Sequence, residues 1–589
     1  MSIREGCNVR LLERIEGVGA WKLAQTDATT QAEEPTRRPG RARRRWLVGI
    51  AIVVGMLLVA VAITAEYIAS HAGPLLKSSV VATLAARFHS PVELDSLDIT
   101  VLNGLEVHGH GLRILYLAGP TQPDIAQDRG QAAAPMLSVN SFSFRTTLGE
   151  VLHLRANVAR VDVDGMELHI PPHEGGQMLE TKPPKSRIAL TVAKIYCKNV
   201  KLVIETSTPG KDPLQFNIPK MELTDVGAGR PLLYVADVVN PRPVGMVHAA
   251  GHFGPWRGDN PRSTALDGRY VFDKVALDSI KGLRGVLSST GTFQGQLGHL
   301  TVDGASSTPE FALDVSDHPM PLDTTFHAFV DGTTGDTTLN SVEAMLGQSR
   351  FSCSGGIVRV PGKGHDILLS VTMPQGRIED ILQLVMKTTP ALMRGAVTLR
   401  AKLHIPPGNV RVAEKLLLAG NLRIQNVEFT SAKLQDQVNS LSLRAQGKPG
   451  DTKATAGETR PAVLSEMAAT FSLANAMLMI RSLGYQLPGA KVKLVGIYPL
   501  DGSTFDFRGH VRTDATASEM LTGWKSLLVK PFDGLLQKGG KGADIPVEIR
   551  GSNGNFNIGF SMHGADETPE QILTDMKAQS VARQQSQPH

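Results

Sequence analysis

The chain has 589 residues, of which 20% are charged, 5% are aromatic and 58 are glycine, with a formal net charge of +5. That length exceeds one ordinary globular core, and the modest charge, much of it in one arginine-rich run, provides no basic patch suited to nucleic acid. Cys7, Cys197 and Cys353 are the only cysteines, which excludes a disulfide framework and leaves at most one bridge, between the last two.

Residues 1–45 are polar and read as a disordered tail. The next stretch, Trp46 to Ala65, has Thr64 as its only polar side chain and carries no charge. A helix of that length spans about 30 Å, the hydrocarbon thickness of a bilayer, and in lipid the backbone must satisfy itself, which a helix does. We therefore expect a membrane anchor over 46–68, its apolar surface including Trp46, Leu47, Leu57 and Leu58. Arg37, Arg38, Arg41, Arg43, Arg44 and Arg45 precede it, while Glu66 and His71 follow. The positive-inside rule puts the tail in the cytosol and the rest across the membrane. The run is longer than a secretory h-region and far from Met1, which favours an uncleaved anchor over a signal peptide.

From Pro74 to Phe88 the spacing of Leu76, Val80, Leu84 and Phe88 predicts a short amphipathic helix, with Pro near its start where no N–H is needed. Beyond Pro91 the hydrophobic period becomes two. Val161 and Val163 alternate with aspartates; after Gly165 the phase shifts to Met166, Leu168 and Ile170, as a β-bulge would produce. Val492 with Leu494, Phe505 with Phe507, and Phe556, Ile558, Phe560 and Met562 repeat the alternation. Turn residues punctuate these runs. Residues 71–562 therefore form a mainly β region with one apolar face. Some 500 residues would supply roughly 25–30 strands, stacking to about 120–145 Å. Helical interruptions are expected to be few, at Arg377–Thr388 and Ala515–Leu528, with flexible loops at Gly119–Pro135 and Gly447–Pro461, and a polar tail over 563–589.

Three patches resemble the AsmA-like family of bacterial inner-membrane-anchored envelope proteins, relatives of bridge-like lipid transfer proteins. They are VVATLAARFHSPVELDSLDITVLNGLEVHGHGLRI (Val80–Ile114), the glycine-spaced GTFQGQLGHLTVDGASSTPEFALD (Gly291–Asp314), and LLVKPFDGLLQKGGKGADIPVEIRGSNGNFNIGFSM (Leu527–Met562), within a family-like C-terminal segment over 515–562. Asn555 stands where the family more often has proline. The resemblance implies an elongated, curved, groove-like (taco-shaped) antiparallel sheet with a few short helices, rising from the inner membrane into the periplasm. It implies a role in lipid transport or outer-membrane biogenesis, with phospholipid or another envelope lipid shielded on the apolar face. A scaffold or quality-control factor for outer-membrane protein assembly, with outer-membrane or periplasmic protein partners, is the alternative. Read without the resemblance, the apolar face is better taken as packing against a second sheet in an ordinary sandwich. Candidate lipid-facing residues are Phe505, Phe507, Phe556, Ile558 and Phe560.

No catalytic motif stands out: there is no Walker A loop, GxSxG elbow or HExxH pair, and we expect a non-enzymatic protein without cofactor. His108, His110, His169 and His173 lack a further ligand at a recognisable spacing. Arg257-Gly258-Asp259 reads as a turn, and Asp162 with Asp164 as a solvated strand face. The topology is directly testable. A reporter fused after residue 40 should behave as cytosolic and one after residue 130 as periplasmic; the reverse pattern, or release of the chain from membranes, contradicts the anchor.

Overall fold

The computed structural model describes residues 52–60, 63, 77–78, 80–82, 84–85, 90–100, 105–117, 133–146, 155–170, 189–206, 209–226, 230–257, 260–452, 463–521, 542–552, 555–560 and 566–585. The chain divides into two compact units, Met1–Tyr67 and Ile68–His589. In the first, residues 52–60 are helical, and the apolar side chains of Leu57 and Leu58 are exposed. Trp46, Leu47, Arg41, Arg43, Arg44 and Arg45 lie outside the described residues. Among the described residues no helix is long and apolar enough to cross a membrane.

The second unit is one 24-stranded sheet. Strands pair with their neighbours in chain order from β1 (Val92–Thr100) and β2 (Leu105–Leu117) to β23 (Ala543–Ser552) and β24 (Asn555–Phe560). The two-residue β10 (Leu283–Arg284) is a side branch on β12 (His299–Leu313), so β9 (Ala265–Ala276) pairs directly with β11 (Val286–Gln296). Among the described residues the first and last strands each pair on one side only, and the sheet is open. One pair departs from the antiparallel expectation: β4 (Arg155–Ile170) and β5 (Ala189–Ile204) run parallel. Parallel neighbours need a crossover rather than a hairpin, and here the connection falls among residues outside the described set.

The phase shift expected at Gly165 is present, but it is not a bulge of one strand against the next. Gly111 on β2, Gly165 on β4 and Asn199 on β5 all have φ between 54° and 67°. Asn140 of β3 (Ala133–Thr146) sits between them, since Val139 pairs with Met166 and Ser141 with Asp164. Each strand changes phase at the same level, so register is kept and apolar residues stay on one face above and below the crease. Gly165 suits this position because its φ of 67° is left-handed.

Helices cap the ends of the strands. Residues 80–82 and 84–85 are helical, with Val80, Ala82 and Ala85 buried, and Val81 and Leu84 pack on the cluster of Leu94, Val107 and Phe142. Helix α1 (Ile378–Val385) forms where its spacing predicts, burying Ile378 against Met373 and Val397 while Ile381 and Leu382 pack alongside. The short α2 (Val412–Lys415) and the longer α3 (Ala432–Ala445) are additional. The latter starts at Ser431, whose side chain accepts from Leu434 N. The helix expected from Ala515 is instead a turn over 517–520 as far as the chain is described.

Register also shows that the sheet rolls up. Hairpin turns fall on two opposite rims, and the β5–β6 turn (β6, Leu214–Thr224) lies on the rim opposite that of β13 (Met320–Val330) and β14 (Thr337–Leu346) at Asp336. Nevertheless Lys211 Nζ donates to Asp336 Oδ1, and the Arg359 guanidinium donates to the carbonyls of Asp212 and Pro213 at 2.9 and 3.2 Å. Further along, Val412 N donates to Lys281 O at 3.0 Å, and Arg411 pairs with Asp314 at 3.5 Å. Ile170, Ile204 and Leu202 from one rim cluster with Leu266 and Leu297 from the other. These are apolar-face residues, so that face is the concave one.

The residues after 563, read from sequence as a polar tail, include a helix, α4 (Pro569–Gln585), packed on the convex face. Ile572 is fully buried there, as is Ile497 on the sheet. Arg508 of β22 (Phe505–Thr513) is only 4% exposed and pairs with Asp506, Glu548, Glu567 and Asp575. Arg550 shares Asp506 and Glu548, and Arg481 reaches Glu570 at 2.7 Å. Polar composition concealed this docking, because the helix is held by ion pairs around one buried isoleucine. Breaking a buried pair costs about 3–5 kcal/mol. Arg508→Ala should therefore open α4 at least about 100-fold more often, read as faster limited proteolysis within 569–585; unchanged cleavage contradicts this role.

Candidate functional site

Directly paired residues of adjacent strands share a face, so register can be followed from one edge to the other. One row starts at Leu97 and runs through Gly109, Phe142, Val163, Cys197 and Met221. It continues through Ala236, Ala249, Tyr270, Gly291, Gly304 and Phe326. Val342, Cys353, Val371, Ala401, Gly420 and Phe471 follow. Ile480, Gly496, Phe507, Ile549 and Ile558 carry it to β24. No charged, amide, serine or threonine side chain interrupts it. At about 4.8 Å per strand the row measures about 105 Å along the sheet.

At three steps of the row a ring stands beside a glycine for a steric reason. A Cβ on Gly109 would meet Phe142 at 2.1 Å, one on Gly304 would meet Phe326 at 2.6 Å, and one on Gly496 would meet Phe507 at 2.4 Å. Each ring lies over the glycine of a neighbouring strand, which keeps the stripe apolar and shallow. Near its start Phe142, Val163 and Cys197 are buried, as are Ala401, Phe471 and Ile480 farther on. From Ala249 to Val371 every position is only half-buried. There is no second sheet among the described residues to cover that stretch, so the sandwich arrangement does not hold. The convex face carries cross-strand ion pairs instead, such as Lys194–Glu222 at 2.7 Å, His248–Asp237 at 2.7 Å and His327–Asp303 at 2.7 Å.

The candidate positions at the C-terminal end fall into three cross-strand rows. Phe507 pairs with Ile549 and that with Ile558; Phe505 pairs with Gly551 and that with Phe556; Gly509 pairs with Val547 and that with Phe560. Phe505 and Phe507 are half-buried with ring centroids 6.0 Å apart, and Ile558, on the edge strand, is 55% exposed. Sequence reasoning found this end because its alternation is regular. The middle of the row escaped it, since glycines and single phenylalanines form a stripe only once register is known.

The residues weighed for metal or acid–base chemistry are held separately. His108 Nε2 lies 3.8 Å from Glu106, and His169 lies between Glu167 and Glu205. The Glu205 hydrogen bond, and after it Glu167, raises the His169 pKa against the effect of burial. Asp162 pairs with Arg160, and Asp164 accepts from Asn199 Nδ2 at 2.8 Å. Among the described residues no group of His, Cys, Asp or Glu could hold a metal ion. His173, Gly258 and Asp259 lie outside the described set. Comparison with protein-family models, curated proteins and solved structures gave no match.

Both cysteines of the sheet are free and lie in the apolar row, on β5 and on β15 (Ser349–Val360). They are about 40 Å apart measured along the sheet. Burial pushes the Cys197 thiol up to about 12 and raises that of Cys353. Iodoacetamide should modify Cys353, which is half-exposed, and spare Cys197 until the chain is unfolded. Equal reaction at both contradicts the placement.

Proposed function

We propose that this chain is a non-enzymatic, inner-membrane-anchored periplasmic protein that shields the acyl chains of phospholipid or another envelope lipid on its concave face, in lipid transport or outer-membrane biogenesis. The observation that carries the reading is the unbroken apolar row, half-buried through its middle, with no second sheet over it among the described residues. Apolar surface of that extent on one face is unusual unless something apolar occupies it, and a row that continues from strand to strand along the whole sheet suits a linear hydrocarbon better than a compact ligand. The AsmA-like resemblance and the apolar N-terminal run point the same way.

Assembly of outer-membrane proteins is the second reading. It is favoured by β24, an edge strand with no charged residue and an exposed Ile558, which could accept a partner strand by β-augmentation.

Photo-crosslinking in cells separates the two. A crosslinker replacing Phe326, on the concave face, should capture lipid, whereas one replacing His327, on the convex face, should not; Ile558 and Asn557 form the corresponding pair at the edge. Equal lipid labelling at both faces, or protein adducts alone at Phe326, overturns the lipid reading.

A further inference from the structure

Where the two rims meet, cations converge from both sides. One rim supplies Lys211 and, from the turn between β7 (Leu232–Pro241) and β8 (Val244–Phe253), Arg242. The other supplies Arg359 on β15, its register partner His365 on β16 (Gly364–Arg377), and Lys415 at the end of α2. Among the described residues Asp336 is the one carboxylate bonded to them, taken up by Lys211 Nζ and by Arg359 N at 2.9 Å. The other acceptors are neutral: Arg359 uses the Asp212 and Pro213 carbonyls, and Lys415 Nζ donates to Gly408 O at 3.0 Å. Arg242 has no ion-pair partner among the described residues.

Closing the rims thus brings like charges together without enough negative charge to balance them. Burial, then Arg359, Arg242 and Lys211, lower the His365 pKa despite Asp336; burial and Arg242 lower that of Lys415. An anion placed between the rims would relieve this repulsion and tie one rim to the other. Arg359 and His365 stand two residues from Ile357 and Ile367, a register pair that leads to Gly355 and Leu369 on the concave face. A group bound by these cations therefore sits at the lip of the apolar trough.

We propose that this meeting line, formed by Lys211, Arg242, Arg359, His365 and Lys415, binds a phosphate ester, namely the headgroup of a phospholipid whose chains lie along the trough. Arginine forks and several donors match the oxygens of a phosphate. The anion site stands on the cation cluster alone; assigning the phosphate to a lipid rests on the function proposed above.

The test is titration calorimetry on the full chain in a neutral detergent, with three probes: dihexanoyl phosphatidylglycerol below its micelle concentration, dihexanoylglycerol, and inorganic phosphate. Arg242→Glu loses no partner and is expected to fold; Lys415→Gln is the milder second variant. The phosphatidylglycerol should bind the parent chain and lose about tenfold or more in affinity in Arg242→Glu, with a smaller loss in Lys415→Gln. Dihexanoylglycerol should bind parent and variants alike. Phosphatidylglycerol affinity unchanged in both variants, at unchanged melting temperature, overturns the site while leaving the apolar trough standing. Binding of inorganic phosphate that is lost in Arg242→Glu, with neither lipid bound, supports the anion site and overturns its assignment to a lipid.

Discussion

A single sheet with one apolar face has to keep that face continuous through every strand, and nearly everything else in the second unit serves that requirement. One residue of slippage would turn the apolar set outward. The crease through Gly111, Asn140, Gly165 and Asn199 shows how register survives a change of phase: the neighbouring strands change together. The ring-over-glycine packing at Gly109, Gly304 and Gly496 serves the same end, keeping large side chains in the row from standing proud of it. Rolling of the sheet then makes this face concave, and rim contacts such as Lys211 with Asp336 hold the curvature.

Charge is segregated accordingly. Aspartates, histidines and lysines pair across strands on the convex face, where each exposed pair adds little stability but keeps the outer surface hydrated. The exception is the buried network around Arg508, which docks α4 over Asp506 and Ile497. The concave face admits cations only at its lip, where Arg359 and His365 extend a register line that is otherwise apolar. Such a distribution, hydrocarbon-compatible inside and phosphate-compatible at the margin, matches the two ends of a phospholipid.

Local pattern made part of this legible. Period-two alternation at Val161, Phe505 and Phe556 identified a mainly β chain with one apolar face, and the spacing of Ile378, Ile381 and Leu382 located α1. The parallel pairing of β4 with β5 was not legible, because it depends on a crossover and not on either strand's own pattern. α4 was missed since its few apolar residues, Ile572 among them, stand in a polar sequence, and the partners of Glu570 and Asp575 are distant in sequence. The cation cluster was invisible for the same reason: Lys211 and Arg359 are brought together only by the rolling of the sheet. Cys197 and Cys353 show what register adds, as two isolated residues in the sequence become members of one row.

The central claim is that the half-buried middle of the row holds hydrocarbon. Native mass spectrometry of the full chain, released gently from membranes, measures this directly. The account predicts phospholipid-sized adducts that survive delipidation-free purification and that are lost when Val342→Asp places a charge midway along the row, where an unpaired carboxylate is strongly disfavoured beside hydrocarbon. A parent chain that carries no lipid, or a Val342→Asp chain that is folded and retains the same adducts, would contradict it.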